Sequence, residues 1–158
     1  MKTDFAIYDM DRTVTRHATY TPFLLHCAMR RAPWRLILLP FVAAAMLSYV
    51  LKLIDRAKLK EICHRLLLGH KRHPHDLRPL VDSFAARTAA SNIRPGARAA
   101  IARDKAEGRR VVMATASYRL YAQAIGDRLG FDDVIGTGST IGLDERVHAK
   151  IDGENCYG

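Results

Sequence analysis

The chain has 158 residues, of which 49% are apolar, so it can bury the core of one domain and is not an intrinsically disordered chain. Its formal net charge of +9 favours an anionic partner: nucleic acid, an acidic membrane surface or a phosphorylated small molecule. Nucleic acid is the least favoured of these, because aromatic residues are not interleaved with the basic ones and the sequence has no zinc-finger or helix-turn-helix spacing.

The amino-terminal segment and the cysteines favour a cytoplasmic location. Residues 1–11 lack the basic-then-apolar order of a secretory signal peptide. The cysteines are few, odd in number and widely spaced, which is typical of buried reduced thiols rather than a disulfide framework: Cys27, Cys63 and Cys156.

The first predicted element is a short buried strand over Phe5–Tyr8. Asp9 and Asp11 follow it directly. In open α/β sheets the carboxyl ends of the strands are where ligands bind, so these two acids occupy a typical ligand-binding position.

Residues from about Arg16 to Ala90 are predicted to be helical. Leu36–Leu51 is uncharged, and its 16 residues, interrupted by Pro40, fall short of the roughly 20 needed to span a bilayer. We therefore expect a helix that contacts a membrane peripherally or, equally, is buried within its own domain. Basic residues flank the stretch on both sides: Arg30, Arg31 and Arg35 before it, and Lys52, Arg56, Lys58 and Lys60 after it.

After Asn92 the pattern changes to alternating helices and strands. The predicted elements are a helix from Pro95 to Gly108, a strand at Val111–Ala114, a helix at Tyr118–Leu129 and a strand at Asp133–Ile135. This alternation predicts a parallel sheet. The expected fold is α/β, a Rossmann-like parallel sheet core with an inserted α-helical cap.

The pair Asp9 and Asp11 can perform phosphoryl transfer. An ionised Asp is a ready nucleophile at neutral pH, and attack on phosphorus gives an aspartyl phosphate that water can hydrolyse. The second Asp can protonate the leaving oxygen and then activate the water. Two carboxylates repel a phosphate, so a divalent cation is needed, and Mg²⁺ suits these oxygen ligands. The hydroxyl of Thr13 can tie down the loop.

A second chemical signal lies at Thr115–Ser117, between a predicted strand and helix. A hydroxyl and the backbone N–H groups of a helix N-terminus are well placed there to bind phosphate. We expect Thr115 to contact the phosphate and Ser117 to cap the following helix.

Taken together, these segments resemble the haloacid dehalogenase superfamily, in the branch that includes phosphoserine phosphatase. The resemblance rests on Asp9–Thr13, Ala114–Ser117, Leu129–Phe131 with Val134–Thr137, and Gly153–Gly158. It implies an α/β catalytic core of residues 1–15 and 90–158 and a helical cap of residues 16–89.

The same resemblance implies the roles of individual residues. Asp9 would be the nucleophile and Asp11 the general acid and base. Asp9 and the main chain of Asp11 would hold Mg²⁺. The phosphate would be bound by Met10, Asp11, Thr115 and Ala116.

In this branch a phosphate-neutralising Lys and an acidic pair follow the segment Gly153–Gly158, and the sequence ends before both. Lys150 precedes that segment and Asp132–Asp133 follows another motif, so neither is expected to replace them. The sequence is therefore expected to be either a fragment of a longer enzyme or a degenerate member of the family. Two alternatives to a phosphatase remain: a catalytically incomplete binding or interaction module of the same fold, and a small membrane-associated protein.

The substrate class is open between a phospholipid phosphate and a small soluble phosphomonoester. Phosphoserine phosphatases place a Glu in the cap soon after the first motif, whereas Thr15–Tyr20 contains no acid. The apolar and basic cap favours a phospholipid and a peripheral membrane contact. The histidines His64, His70, His73 and His75 lack a metal-site spacing and are expected to form a polar connection between helices.

Overall fold

The computed structural model describes residues 4–141 and 147–152. In chain order the elements are β1 (Phe5–Asp9), a wide turn (Met10–Val14), α1 (Tyr20–Arg31), a 3₁₀ helix (Pro33–Leu38), α2 (Leu39–Val50), α3 (Arg56–Leu67), β2 (Lys71–Arg72), α4 (Pro74–Ser91), α5 (Pro95–Ala106), β3 (Arg110–Tyr118), α6 (Arg119–Leu129), β4 (Asp133–Ile141) and β5 (Val147–Asp152).

The described residues form two compact units. The first, here called the α/β unit, comprises residues 4–20 and 81–138. The second, the helical unit, comprises residues 21–80 together with 139–141 and 147–152. The boundaries predicted from the sequence, a cap of residues 16–89 and a core of residues 1–15 and 90–158, stay a prediction.

The α/β unit is built on three parallel strands in the order β1, β3, β4. Asp9 of β1 lies opposite Ala114 of β3, and Val112 of β3 lies opposite Asp133 of β4. The predicted Rossmann-like parallel sheet is therefore confirmed, and Asp9 ends its strand at the same edge as Thr115 of β3.

Local signals set the boundaries of the two helices in this unit. Pro95 lies in the first turn of α5, and Gly108, just after the helix, has φ +77°. Gly130 ends α6 with φ +80°, a left-handed conformation that a glycine adopts without strain. Both predicted helices are confirmed.

Helix α6 packs closely on the sheet because it carries a glycine on its buried side. A Cβ on Gly126 would lie 2.5 Å from Val134 Cγ2 and 3.3 Å from Met113 Cε. The other buried residues of the helix are Tyr121, Ala122 and Ile125. The ring of Tyr121 meets that of Phe84 edge to face, with 5.6 Å between the centroids.

Two predictions for the strands need correction. The first strand forms, but it is not buried: Phe5 and Ile7 are 59% and 69% exposed. Among the described strands β1 lies at an edge, and alternate side chains point away from the packed face. The second strand is longer than predicted, because β3 continues through Ser117 to Tyr118, with an irregular register between Thr115 and Tyr118.

The helical unit buries its core between α1, α3 and the first turns of α4. Phe23, Leu24, Leu67 and Leu77 are at most 1% exposed. Two cysteines of this unit, Cys27 and Cys63, are buried free thiols. Burial raises the pKa of Cys27 to about 12, so this thiol stays protonated. Cys156 lies outside the described residues.

Two features of the helical unit bear on the predictions. The strand β2, which was not predicted, lies in the connection between α3 and α4, and its Lys71 pairs antiparallel with His148 of β5. The apolar stretch that was predicted either to contact a membrane or to be buried is exposed, since only 11% of Pro33–Val50 is buried. Its 18 residues have a mean hydropathy of 1.5, long and apolar enough to cross a membrane by length and composition alone.

Candidate active site

Asp9 presents its carboxylate at the carboxyl end of β1. The residue is exposed, with an extended backbone at φ −73° and ψ 142°. Its Oδ2 atom accepts a hydrogen bond of 3.0 Å from the hydroxyl of Thr13. The loop-fixing role predicted for Thr13 thus takes the form of a direct bond to the proposed nucleophile.

The wide turn after Asp9 is anchored by its apolar residues and by Thr15. Met10 and Val14 are fully buried. The backbone N–H of Thr15 donates to the carbonyl of Met10 at 2.9 Å. Within the turn Arg12 has φ +66°, a left-handed conformation that costs a non-glycine residue roughly 1 kcal/mol. The buried anchors on both sides hold this strained turn in place.

Asp11 accepts three hydrogen bonds, and both of its carboxylate oxygens are used. Oδ1 receives the backbone N–H and the hydroxyl of Thr19, each at 2.8 Å. Oδ2 receives the hydroxyl of Ser117 at 2.5 Å. These donors fix the orientation of the Asp11 side chain.

Tyr121 lies behind this network. Its hydroxyl is 3.2 Å from the Thr19 hydroxyl, and the residue is fully buried. Burial, and secondarily the charge of Asp11, raises the pKa of Tyr121 above its ordinary value, so the phenol stays neutral. The network extends from the turn to α6.

Sequence reasoning missed Thr19 and Tyr121. A Thr just before a predicted helix is ordinarily interpreted as a cap, and a Tyr within a helix as core. The only sequence signal for Thr19 was its polarity between Ala18 and Tyr20 in the loop after the motif.

The capping role predicted for Ser117 is wrong. Helix α6 begins at Arg119, its N-cap is Tyr118, and that cap makes no side-chain hydrogen bond. The hydroxyl of Ser117 instead bonds Asp11, because β3 continues past Thr115 and carries Ser117 to the turn. Thr115 is 3% exposed, and its hydroxyl accepts the backbone N–H of Ser117 at 3.0 Å. Its phosphate contact, and that of Ala116, stay predictions.

The two aspartates fit part of a magnesium site. Hard oxygen ligands are what Mg²⁺ takes, usually one or two carboxylates with waters and phosphate oxygens. Asp9 offers an exposed carboxylate with one oxygen unbonded by any described residue. Within residues 4–141 and 147–152 no group of three His, Cys, Asp or Glu side chains could hold a metal. The segment Gly153–Gly158 lies outside the described residues.

Asp132 and Asp133 lie at the amino ends of the strands, whereas Asp9 lies at the carboxyl end of its strand. Asp132 accepts the backbone N–H of Val111 at 2.8 Å, and Asp133 pairs with Arg110 at 2.7 Å. Both contacts are at the amino ends of β3 and β4. These carboxylates therefore stabilise the start of the sheet.

In the helical unit, the strand β2 lies between His70 and His73. His64 is buried in α3, where burial and then the charge of His70 lower its pKa to about 4. His73 and His75 are exposed. The side chain of Lys150 lies outside those described.

The sequence matches the haloacid dehalogenase-like hydrolase family over residues 6–158. No curated protein matches the chain by sequence. Because the family match covers nearly the whole chain, it includes both aspartates and the second motif.

Solved structures share the fold. A protein of unknown function from Bordetella pertussis Tohama I superposes with a TM-score of 0.81 at 19% identity, over 98% of this chain and 69% of that one. A haloacid dehalogenase family hydrolase from Salmonella enterica serovar Typhi gives 0.63 at 13% identity, over 94% and 45%. A phospho-aspartyl intermediate analogue of phosphoserine phosphatase gives 0.58 at 15% identity, over 98% and 65%. The chain thus spans between 45% and 69% of the length of these proteins.

Proposed function

The chain belongs to the haloacid dehalogenase-like hydrolases, and from this premise we propose that it is a Mg²⁺-dependent phosphatase that hydrolyses phosphate monoesters through an aspartyl phosphate on Asp9. The observation that carries the proposal is the different bonding of the two acids. Asp9 is exposed with one hydrogen bond, whereas Asp11, two residues on, is fixed by three.

In the first step Asp9 attacks phosphorus. A bond forms between its carboxylate oxygen and phosphorus, and the bond from phosphorus to the ester oxygen breaks. The leaving oxygen takes a proton from Asp11, which becomes a carboxylate. The bond from Thr13 holds one oxygen of Asp9, which leaves the other to attack.

In the second step water attacks phosphorus and the bond to Asp9 breaks. Asp11 takes the proton of that water and is returned to its acid form, so protons balance over the cycle. The hydroxyls of Ser117 and Thr19 stabilise the Asp11 carboxylate formed between the two steps.

Asp9 and the main-chain carbonyl of Asp11 would hold Mg²⁺, which neutralises the phosphate charge that two carboxylates would otherwise repel. Thr115, Ala116 and the main chain of Met10 and Asp11 would bind the phosphate oxygens. Residues 16–89 would form a cap over the core.

The substrate we propose is a phosphorylated small molecule or a phospholipid phosphate, met in the cytoplasm or at its membrane surface. A phosphoserine phosphatase is among the proteins of similar fold. The loop Thr15–Tyr20 contains no acid to hold a substrate amine, which favours a substrate other than phosphoserine.

Substitution of the nucleophile tests the mechanism. In the complete gene product, Asp9→Asn should reduce turnover of 4-nitrophenyl phosphate by at least about a thousandfold, because an amide does not attack phosphorus. Acid-quenched wild-type protein should carry one phosphoryl group on Asp9 by mass spectrometry, and the variant none.

The matched control is Asp127→Asn, which changes an exposed carboxylate on α6 and should leave turnover unchanged. Chelation with EDTA should abolish wild-type turnover, and added Mg²⁺ should restore it. Normal activity of a clean Asp9→Asn preparation would show that another group is the nucleophile.

A further inference from the structure

Exposed apolar side chains are concentrated in one segment of the helical unit. Among the described residues, 14 large apolar side chains are exposed, and ten of them lie between positions 34 and 53. We call these ten the α2 face: Trp34, Ile37, Leu39, Phe41, Met46, Leu47, Tyr49, Val50, Leu51 and Leu53. Soluble proteins rarely expose apolar patches above a few hundred Å², and larger ones usually mark an interaction site.

Helix α2 buries only a narrow stripe. Val42 and Ala45 are its buried residues, and the helix packs against α3. Leu47 lies opposite this stripe and is 58% exposed, while Phe41 beside the stripe and Leu51 just after the helix are 63% and 60% exposed. No charged residue interrupts Leu36–Leu51, so the exposed side lacks the polar residues that a water-facing helix normally carries.

The ends of the α2 face are basic. Residues 30–60 contain seven Lys and Arg side chains and a single acid, Asp55. Arg30, Lys52 and Arg56 are exposed. The guanidinium of Arg35 lies 4.8 Å from the ring centre of Trp34. An apolar surface with basic residues and a Trp at its border matches the interfacial region of a bilayer that contains anionic lipids.

We propose that the α2 face binds the surface of an anionic phospholipid bilayer, with α2 lying in the plane of the interface. Arg35 joins this segment to α3, since its guanidinium donates to the carbonyls of Arg65 and Leu66 at 3.0 and 2.9 Å. These bonds tie the start of the segment to the end of the charged helix α3. A membrane-spanning orientation would break them or draw α3 into hydrocarbon.

The basic residues near the α2 face also favour a bilayer over a second copy of the chain as the partner of this face. Two copies joined through this face would bring their Arg30, Lys52 and Arg56 side chains close together, and like charges disfavour such an interface. A bilayer with anionic headgroups supplies the opposite charge to the same residues.

The chain contains its own reporter for this contact, because Trp34 is its only tryptophan. Full-length protein should be titrated with vesicles of phosphatidylcholine and with vesicles containing about 30% phosphatidylglycerol, at low and high salt. We expect a blue shift of Trp34 emission and co-sedimentation with the anionic vesicles, both weakened by salt.

Substitutions locate the contact. The double variant Phe41→Ser with Leu47→Ser should lower the partition coefficient at least tenfold, and Lys52→Glu should lower it on anionic vesicles only. The matched control is Met29→Ser, which removes an apolar side chain that is 52% exposed on α1 and should bind as wild type.

Three outcomes would overturn the proposal: no blue shift with anionic vesicles at low salt, a Trp34 signal that tracks a concentration-dependent dimer rather than lipid, or resistance of the bound protein to carbonate extraction, which indicates a spanning helix. Binding is measured without substrate, so failure of the Asp9 mechanism leaves this test unaffected.

Discussion

Helices α6 and α2 have nearly the same length and opposite environments. Helix α6 alternates apolar and polar residues at helical spacing, and its apolar stripe of Tyr121, Ala122 and Ile125 is buried in the α/β unit. Helix α2 carries no charge at all, yet it buries only Val42 and Ala45. The helix with the more apolar sequence is therefore the less buried one.

This difference shows that periodicity indicates burial within the chain better than apolar content does. A stripe bounded by polar residues fits one neighbour, and the rest of the helix faces water. A helix without polar residues can be covered by protein or by lipid, and its composition does not distinguish them. We therefore expect single substitutions to have large effects around α6 and small ones on the outer side of α2.

The largest effect in this comparison is expected where α6 and β3 meet the turn. Ser117→Ala removes the hydrogen bond to Oδ2 of Asp11, and a hydrogen bond to a charged group is worth about 10–100-fold. Because Asp11 protonates the leaving oxygen in the first step, kcat/KM should fall this far for an alkyl phosphate and much less for 4-nitrophenyl phosphate, whose leaving group needs no proton.

The comparison variant is Thr115→Ala, whose proposed contact is with the phosphate itself. It should lower kcat/KM for both substrates equally, and by more than Ser117→Ala does for the aryl ester. If Ser117→Ala lowers kcat/KM equally for both substrates, Ser117 acts on the phosphate rather than through the acid role of Asp11.

The helices and strands of the α/β unit could be predicted from the sequence because the residues that determine them are neighbours in the chain. Pro95, Gly108 and Gly130 lie at helix ends, and short apolar runs mark the strands. The two acids also follow their strand directly in sequence. Such features depend on neighbouring residues and can be recognised without a structure.

The network around Asp11 could not be predicted in the same way. Its donor Ser117 is 106 residues away in sequence, and the Tyr121 hydroxyl on α6 lies 3.2 Å from the hydroxyl of Thr19, 102 residues away. The strand β2 has two residues and depends on its partner β5. The exposure of Phe5 likewise follows from strand order. These contacts depend on how distant segments pair.

A smaller effect is expected from a methyl group added under α6. Gly126→Ala places a Cβ within 2.5 Å of Val134 Cγ2, so side chains must shift, and the free energy of unfolding should fall by about 1–3 kcal/mol. Thermal unfolding measures this change.

Gly96→Ala is the matched control, since a Cβ there meets no atom within 4 Å in the helix α5. It should be neutral or stabilising by up to about 1 kcal/mol, because alanine is the better helix former. Equal losses for both variants would mean that α6 does not pack closely on the sheet.

The smallest effect is expected on the outer side of α2. Leu47 is 58% exposed, and Leu47→Ala should change the free energy of unfolding in water by less than about 0.5 kcal/mol. Leu67 of α3 is 1% exposed, and the same substitution there should cost about 2–5 kcal/mol. The pair changes identical atoms, so the difference between the two losses measures burial alone.

A cost above about 2 kcal/mol for Leu47→Ala would mean that protein already covers the α2 face in solution, because only buried side chains cost that much. A cost near zero in water, with weaker binding to anionic vesicles, would instead show that Leu47 contributes to lipid binding and not to folding.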